Sequence, residues 1–225
     1  MPKPEIAGVI AGGINKNAVK RAISSGADIL ELRVDTFKNI DLSALRAGVK
    51  ELKEFKKPII ITVRSTKEGG AAEIADTVRE EIFKTLTPVA DMVDVELGSV
   101  KILKNVIDFA CKHKKKSIVS YHNFAETPDS RTLKNIISRG VRAGGRIVKI
   151  ATRVNAAEDA RRLAGLLIDS RHELIVIGMG EKGVFTRVLF PLLGSRLTYG
   201  SVTGKTAPGQ LSIGTLKKQF ALYGF

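Results

Sequence analysis

Cysteine is scarce in this sequence, and long hydrophobic runs are missing. Cys111 is the single cysteine among 225 residues, so no internal disulfide can form and a reducing compartment is expected. The opening segment, MPKPEIAGVIAGG, has neither the basic region nor the long apolar core of a signal peptide, and no apolar run approaches the length of a membrane span. These features predict a soluble, cytoplasmic protein with no membrane partner.

Acidic residues are also in short supply. The chain has 37 Lys and Arg residues against 23 Asp and Glu residues, a formal net charge of +14. This excess indicates either a basic face for nucleic acid or another polyanion, or a solvated surface around a site for a small anion. The densest basic run, KHKKK at 112–116, contains none of the aromatic residues that single-strand binders use as stacking platforms. We therefore favour a solvated surface and predict no nucleic-acid partner.

Strand-like runs recur about every thirty residues, and a helical pattern follows each of them. The predicted strands are 5–11, 28–35, 59–64, 92–97, 117–122, 145–152, 173–178 and 196–201. The predicted helices are 17–25, 42–55, 71–86, 100–112, 131–142, 156–170, 182–193 and a last one from about 210. Eight such units favour parallel strands with crossover helices, and a closed barrel leaves no open sheet edge. Because no linker or change in composition marks a second domain, we predict a single (β/α)8 TIM barrel over residues 1–225.

Charged and apolar residues alternate toward the ends of five predicted strands. Helices bury the outer face of a barrel strand, so the apolar residues should face outward and the polar ones inward. The inward set is Glu31, Arg33, Asp35, Thr62, Arg64, Asp94, Glu96, Ser120, His122 and Lys149. One such residue alone is more typical of a structural ion pair. Five strand ends together predict an active site, because catalytic residues of this fold come from the C-terminal ends of several strands.

Lys149 lies in the middle of the strand predicted at 145–152, on the same face as Ile147 and Ala151. An unpaired ammonium is costly among apolar neighbours, and the usual outcome is a neutral amine. A neutral amine is a nucleophile toward ketones. The alternative is a lysine at the solvated end of the strand that forms a salt bridge, but the inward polar residues of the neighbouring strands favour the nucleophile.

Two glycine-rich segments have the appearance of nucleotide motifs. GMGEKG at 178–183 has dinucleotide-binding spacing, but it follows the seventh predicted strand and lacks the acidic residue expected about twenty positions later. GSVTGKT at 200–206 is one residue short of a phosphate-binding loop. We interpret the first as a turn between strand and helix and the second as a flexible loop over the barrel mouth. No pair of His, Cys or carboxylate residues has a metal-ligand spacing, so no metal is expected.

Four segments carry a resemblance to a known family. They are ELRVD at 31–35, YHNF at 121–124, VKIA at 148–151 and APGQ at 207–210, in this order. Together they resemble the type I 3-dehydroquinate dehydratases, the Schiff-base enzymes of the shikimate pathway. The resemblance extends from the second to the eighth strand, nearly the whole chain.

The resemblance implies a role for each matching position. Lys149 would form an imine with the C3 ketone of 3-dehydroquinate, and His122 would move the C2 proton as general acid and base. Loss of the C1 hydroxyl would then give 3-dehydroshikimate. The implied substrate-binding residues are Glu31, Arg33, Arg64, Glu68, Arg187, Thr206 and Gln210. The family also implies that no metal or organic cofactor is needed and that the chain forms a homodimer.

Two features depart from the family pattern. Thr206 stands where many relatives have serine, and it keeps the hydroxyl while adding a methyl group. The first strand begins close to the N-terminus, so we expect the hairpin that closes the barrel floor in longer relatives to be absent.

Two other functions remain open. A Schiff-base aldolase for a phosphosugar would use the same barrel and lysine, and barrels often bind phosphate on the loops after strands seven and eight. A non-enzymatic barrel that binds a polyanion is the second alternative, but it leaves the inward charges unexplained. Glu31 and Arg33, together with Gln210, suit a polyhydroxy acid, which favours the dehydratase.

Overall fold

A computed structural model describes residues 3–202, 204 and 207–225. These residues contain eight parallel strands alternating with eight α-helices, which confirms the predicted single-domain (β/α)8 barrel. The strands are β1 (Ile6–Ile10), β2 (Ile29–Arg33), β3 (Ile59–Thr62), β4 (Met92–Glu96), β5 (Lys116–Asn123), β6 (Ile147–Arg153), β7 (Leu174–Met179) and β8 (Thr198–Ser201).

The helices on the outside of the barrel follow the predicted order. They are α1 (Lys16–Ser24), α2 (Leu42–Leu52), α3 (Asp76–Leu86), α4 (Leu103–Lys112), α5 (Ser130–Arg142), α6 (Ala157–Asp169), α7 (Thr186–Leu192) and α8 (Ile213–Leu222). None of these described helices has the length and apolar character needed to cross a membrane.

The strands pair in the order β7-β6-β5-β4-β3-β2-β1-β8. β1 is bonded on both sides, so that Val9 lies opposite Glu31 on β2 and opposite Ser201 on β8. Between β7 and β8, the Arg196 N–H donates to the Leu174 carbonyl at 2.8 Å and draws the two ends of the sheet together. All the strands therefore run toward one end of the barrel, where their C-terminal residues meet.

Two apolar clusters hold the barrel. Side chains such as Leu30 and Leu32 of β2 belong to the larger cluster, which the helices share. Residues of the opposite strand face, such as Ile60, Ile118 and Ile175, form the smaller cluster inside the barrel. Because both faces of each strand are buried, the strands are rich in branched apolar residues wherever no polar residue faces inward.

Short polar side chains fix several helix starts. Asn15, Asp41, Asp129 and Ser212 cap α1, α2, α5 and α8 by accepting backbone N–H bonds from the first turn. α8 therefore begins at Ile213, three residues after the predicted start at about 210.

The predicted start of α3 at residue 71 is wrong, because the helix begins at Asp76. The Ala71 N–H donates instead to the Asp35 carboxylate at 3.1 Å. This bond holds the segment before α3 against the end of β2, and that arrangement does not fit a helical turn.

Candidate active site at the carboxyl end of the barrel

A cavity opens among the C-terminal ends of the strands. The predicted site residues that line it are Glu31, Arg33, Arg64, Glu68, His122, Lys149, Arg187 and Gln210. Thr206, the remaining predicted residue, lies outside the described part of the chain. Strand register brings the others together: Lys149 is paired with Ser120 on β5, and His122 with Ala151 on β6.

Lys149 projects from the middle of β6 to the inside of the barrel. Its strand neighbours Ile147 and Ala151 belong to the inner apolar cluster, and the lysine itself is only 5% exposed. Its Nζ lies 3.0 Å from Asp94 Oδ2 and 4.0 Å from the ring centroid of Tyr199. Lys149 thus lies in the buried middle of the strand and not at a solvated end, but it does form a salt bridge, which the alternative interpretation also expected.

Asp94 on β4 is the anion beside this lysine. Its other oxygen, Oδ1, accepts hydrogen bonds from Arg64 Nη2 at 2.9 Å and from Ser120 Oγ at 2.7 Å. Burial would raise the pKa of Asp94, but Arg64 and Lys149 outweigh that effect and hold it below its ordinary value. Asp94 is therefore a carboxylate at neutral pH.

Arg64 lines the cavity but is bonded mainly to the protein. Besides Asp94, its guanidinium donates through Nη1 to Glu96 Oε1 at 3.1 Å and to Ser120 Oγ at 2.6 Å. Glu96 in turn accepts a hydrogen bond from Arg79, a buried residue of α3 that also donates to the Val63 carbonyl. The positive charge of Arg64 is thus largely balanced by Asp94 and Glu96.

His122 at the end of β5 is held by Glu68. Glu68 Oε2 accepts the backbone N–H of His122 at 2.8 Å and lies 3.0 Å from the ring Nδ1. Burial raises the pKa of Glu68 to about 7, although Arg64 opposes the shift. Burial, with the nearby cations Arg64 and Lys149, lowers the pKa of His122 well below its ordinary value. The imidazole is therefore neutral and available as a base.

Arg33 and Glu31 belong to the end of β2. Arg33 forms two hydrogen bonds to Asp35, from Nε at 2.9 Å and from Nη2 at 2.8 Å. Glu31 accepts a hydrogen bond from Thr62 Oγ1 at 2.9 Å. Asp35 also accepts the Arg64 backbone N–H at 3.2 Å, so it fastens the segment after β3 to β2 and leaves Arg33 and Glu31 to line the cavity.

Arg187 on α7 differs from the other arginines of the cavity. It is 2% exposed, and its Nη2 donates to the Pro208 carbonyl at 3.0 Å. Among the described residues, its Nε has no hydrogen-bond partner and no carboxylate pairs with its guanidinium. Burial alone lowers the pKa of Arg187 to about 10. A buried cation without an anion is suited to bind an anionic ligand.

The segment after β8 packs against the turn after β7. Gly209 has a φ of +71°, and a Cβ at this position would lie 2.6 Å from the Gly180 carbonyl oxygen. Glycine therefore permits the close approach that carries Gln210, only 2% exposed, to the cavity. The 178–183 segment forms the end of β7 and a short 3-10 turn (Glu181–Gly183), in agreement with its interpretation as a turn.

Two neighbours of the predicted site residues were missed by the sequence reasoning. Tyr199 on β8 lies under Lys149, and the alternation that selected charged residues could have identified it had aromatic residues been included. Arg79 reaches Glu96 from α3, and no strand pattern could have indicated it, because the contact crosses from a helix into the barrel.

The chemistry available in the cavity follows from three groups. Lys149 supplies an amine, His122 a neutral imidazole and Arg187 a cation that pairs with no carboxylate among the described residues. Within the described residues, no group of three or more His, Cys, Asp or Glu side chains is arranged to hold a metal ion. The set is suited to imine formation with a ketone that also carries a carboxylate.

Comparisons with known proteins agree with this geometry. The model of the type I 3-dehydroquinase family matches residues 14–224. A 3-dehydroquinate dehydratase of Hydrogenobaculum sp. is 41% identical over 192 residues, which cover 85% of this chain and 87% of that protein. The crystal structure of the 3-dehydroquinate dehydratase from Aquifex aeolicus superposes with a TM-score of 0.89 at 34% identity, over 97% of this chain and 98% of the other. The chain belongs to the type I 3-dehydroquinase family.

Proposed function

We propose that Lys149 is the Schiff-base lysine and His122 the general acid and base of this enzyme. The chain dehydrates 3-dehydroquinate to 3-dehydroshikimate in the shikimate pathway, through the lysine Schiff base that is characteristic of its family. The observation that carries the residue assignment is the buried Nζ of Lys149, which faces the cavity beside the neutral imidazole.

The reaction uses the two residues in turn. His122 takes a proton from the Lys149 ammonium, and the resulting amine adds to the C3 carbonyl carbon. The proton then returns to the C3 oxygen, which leaves as water and gives an iminium. His122 accepts a proton from C2, and the electron pair of that C–H bond moves toward nitrogen to give an enamine. The enamine expels the C1 hydroxyl, which takes a proton from His122 and leaves as water. Hydrolysis of the new iminium returns the amine and releases the product, for a net loss of one water.

The remaining predicted residues hold the substrate. Arg187 binds the carboxylate, because its guanidinium is buried and unpaired by any described carboxylate. Glu31 and Arg33, with Gln210 and Thr206, contact the hydroxyl groups, and Arg64 adds positive charge beside the carboxylate that Lys149 also contacts. Glu68 orients His122.

The first prediction concerns covalent trapping. Borohydride added during turnover should reduce the imine, inactivate the enzyme and add the mass of the ligand to Lys149 alone. Lys149→Ala should abolish the adduct and nearly all turnover, and Lys149→Arg should not restore them, because a guanidinium stays protonated. Peptide mass mapping makes the measurement. An active enzyme that borohydride leaves unmodified during turnover would falsify the lysine assignment.

The second prediction concerns pH. Below about pH 7, protonated Glu68 donates to Nδ1 of His122 and the imidazole proton lies on Nε2. Above that pH, the Glu68 carboxylate accepts the Nδ1 proton and frees Nε2 to act as the base. The kcat/KM should therefore rise through about pH 7, because this parameter reports ionisations of the free enzyme.

Two variants serve as controls for this pH profile. Glu68→Gln should remove the rise near pH 7, and Glu73→Gln, a change at an exposed acid of the same segment, should keep it. His122→Ala should lower turnover by about 10² to 10⁴. An unchanged profile in Glu68→Gln would show that another group titrates.

The third prediction concerns the carboxylate. Arg187→Ala should raise KM by roughly 10- to 150-fold, since a hydrogen bond to a charged group contributes about 1.5–3 kcal/mol. Arg187→Lys keeps the charge without the bidentate geometry, so its KM should be intermediate. Arg146→Ala, at an exposed arginine paired with Glu173, is the matched control and should leave KM unchanged. Normal KM in Arg187→Ala would move the carboxylate to another cation, Arg64 first.

We also propose that the enzyme is a cytoplasmic homodimer. The lone Cys111 is exposed, as suits a reducing compartment. An apolar surface formed by Phe185, Leu189 and Leu193 is 39–48% exposed and adjoins a groove along α6 and α7, which is typical of an interface.

The fourth prediction tests this dimer. Leu189→Lys should shift the chain from dimer to monomer in light scattering, because a buried interface disfavours an unpaired ammonium. Val100→Lys, at an exposed valine on another face, should remain dimeric. A wild-type monomer, or a Leu189→Lys variant that stays dimeric, rules out this surface.

A further inference from the structure

Asp94 is the anion closest to the nitrogen that reacts. Within the described residues, its Oδ2 is the carboxylate oxygen in ion-pair distance of Lys149 Nζ, at 3.0 Å. The same Nζ becomes the iminium nitrogen, so a carboxylate fixed at this point would face the positive charge of the intermediate as well as that of the free lysine.

Burial and two hydrogen bonds fix the position of Asp94. Its side chain is fully buried on β4, and Arg64 and Ser120 both donate to Oδ1. Oδ2 is thereby left to face Lys149. A carboxylate held in this way cannot turn away when the ligand arrives, and the hydrogen bonds that hold it do not involve the substrate.

Other ionisable groups also surround the lysine. They are Glu31 and Arg33 from β2, Arg64 after β3, Glu68 from a 3-10 turn (Thr66–Glu68), Glu96 from β4, His122 from β5 and Tyr199 from β8, and Arg187 of α7 also lines the cavity.

Each of the other carboxylates is bonded elsewhere. Glu31 accepts from Thr62, Glu96 pairs with Arg64 and Arg79, and Glu68 holds His122. Asp94 is therefore the carboxylate that is aligned with Nζ.

We propose that Asp94 is the counter-ion of the iminium and keeps the Schiff base protonated while the C2 proton is removed. The inference rests on the proposed Schiff base at Lys149. A protonated imine draws the electron pair of the C2–H bond toward nitrogen, whereas a neutral imine is a poor electron sink.

The electrostatics of the site agree with this role. Burial tends to raise the pKa of Asp94, but Arg64 and Lys149 hold it below its ordinary value, so Asp94 does not take the proton from the imine. The face of the Tyr199 ring, 4.0 Å from Nζ, offers a second favourable surface to a cation at that nitrogen.

The test compares Asp94→Asn with the wild type across pH. The alkaline limb of kcat should move to lower pH by about 1 to 3 units, because a carboxylate within hydrogen-bond distance favours the cationic form of its partner by that amount. Asp159→Asn, which removes another buried, hydrogen-bonded carboxylate on α6, should leave the limb unchanged. A variant that loses kcat equally at every pH would overturn the proposal and leave Asp94 a purely structural role.

A spectroscopic titration of the wild type tests the same role of Asp94 and does not require a variant to fold. The imine formed with 3-dehydroshikimate is conjugated, and its protonated form absorbs at longer wavelength than its neutral form. In the wild type that band should persist between about pH 6 and pH 9. Loss of the band within this range in the wild type would overturn the counter-ion role.

Borohydride trapping separates this inference from the function on which it rests. A wild type that forms no adduct at Lys149 contradicts the Schiff base itself. A normal adduct in Asp94→Asn with an unshifted alkaline limb contradicts only the role of Asp94.

Discussion

The ion pair between Lys149 and Asp94 is the interaction on which the site depends. A buried charge is costly unless it is paired and hydrogen-bonded, and removal of one partner of a buried pair costs about 3–5 kcal/mol. Asp94 meets this requirement by bonding to Arg64, which bonds to Glu96, which bonds to Arg79 on α3. Charges of alternating sign thus extend from the barrel interior to a helix outside it, and together they make a buried amine compatible with a stable fold.

The polar layer occupies only one end of the barrel. Residues such as Ile60, Ile118 and Ile175 fill the interior with apolar side chains, and Lys149 lines the cavity at the C-terminal ends of the strands. A packed apolar layer holds the strands in register, and their ends can therefore carry residues chosen for chemistry. Because the apolar and polar layers are separate, a strand such as β6 contributes apolar side chains to the core and a polar side chain to the cavity.

Two arginines of the cavity show how pairing determines what a residue can do. Arg64 is surrounded by Asp94, Glu96 and Ser120, so its charge organises the protein. Arg187 is equally buried but meets no described carboxylate, so its charge remains available to a ligand. The family resemblance presents both alike, as substrate-binding arginines.

The sequence by itself determined the barrel and the inward-facing positions, because strand alternation and strand–helix spacing are local patterns. The ordered segments around Lys149 and His122 also led to the family. Only the tertiary structure decided which charges pair: Glu68 reaches His122 across 54 positions, and Arg79 reaches Glu96 from a helix. Such partners depend on strand register and on how helices pack against the barrel. The alternation of side chains along a single strand contains information on neither.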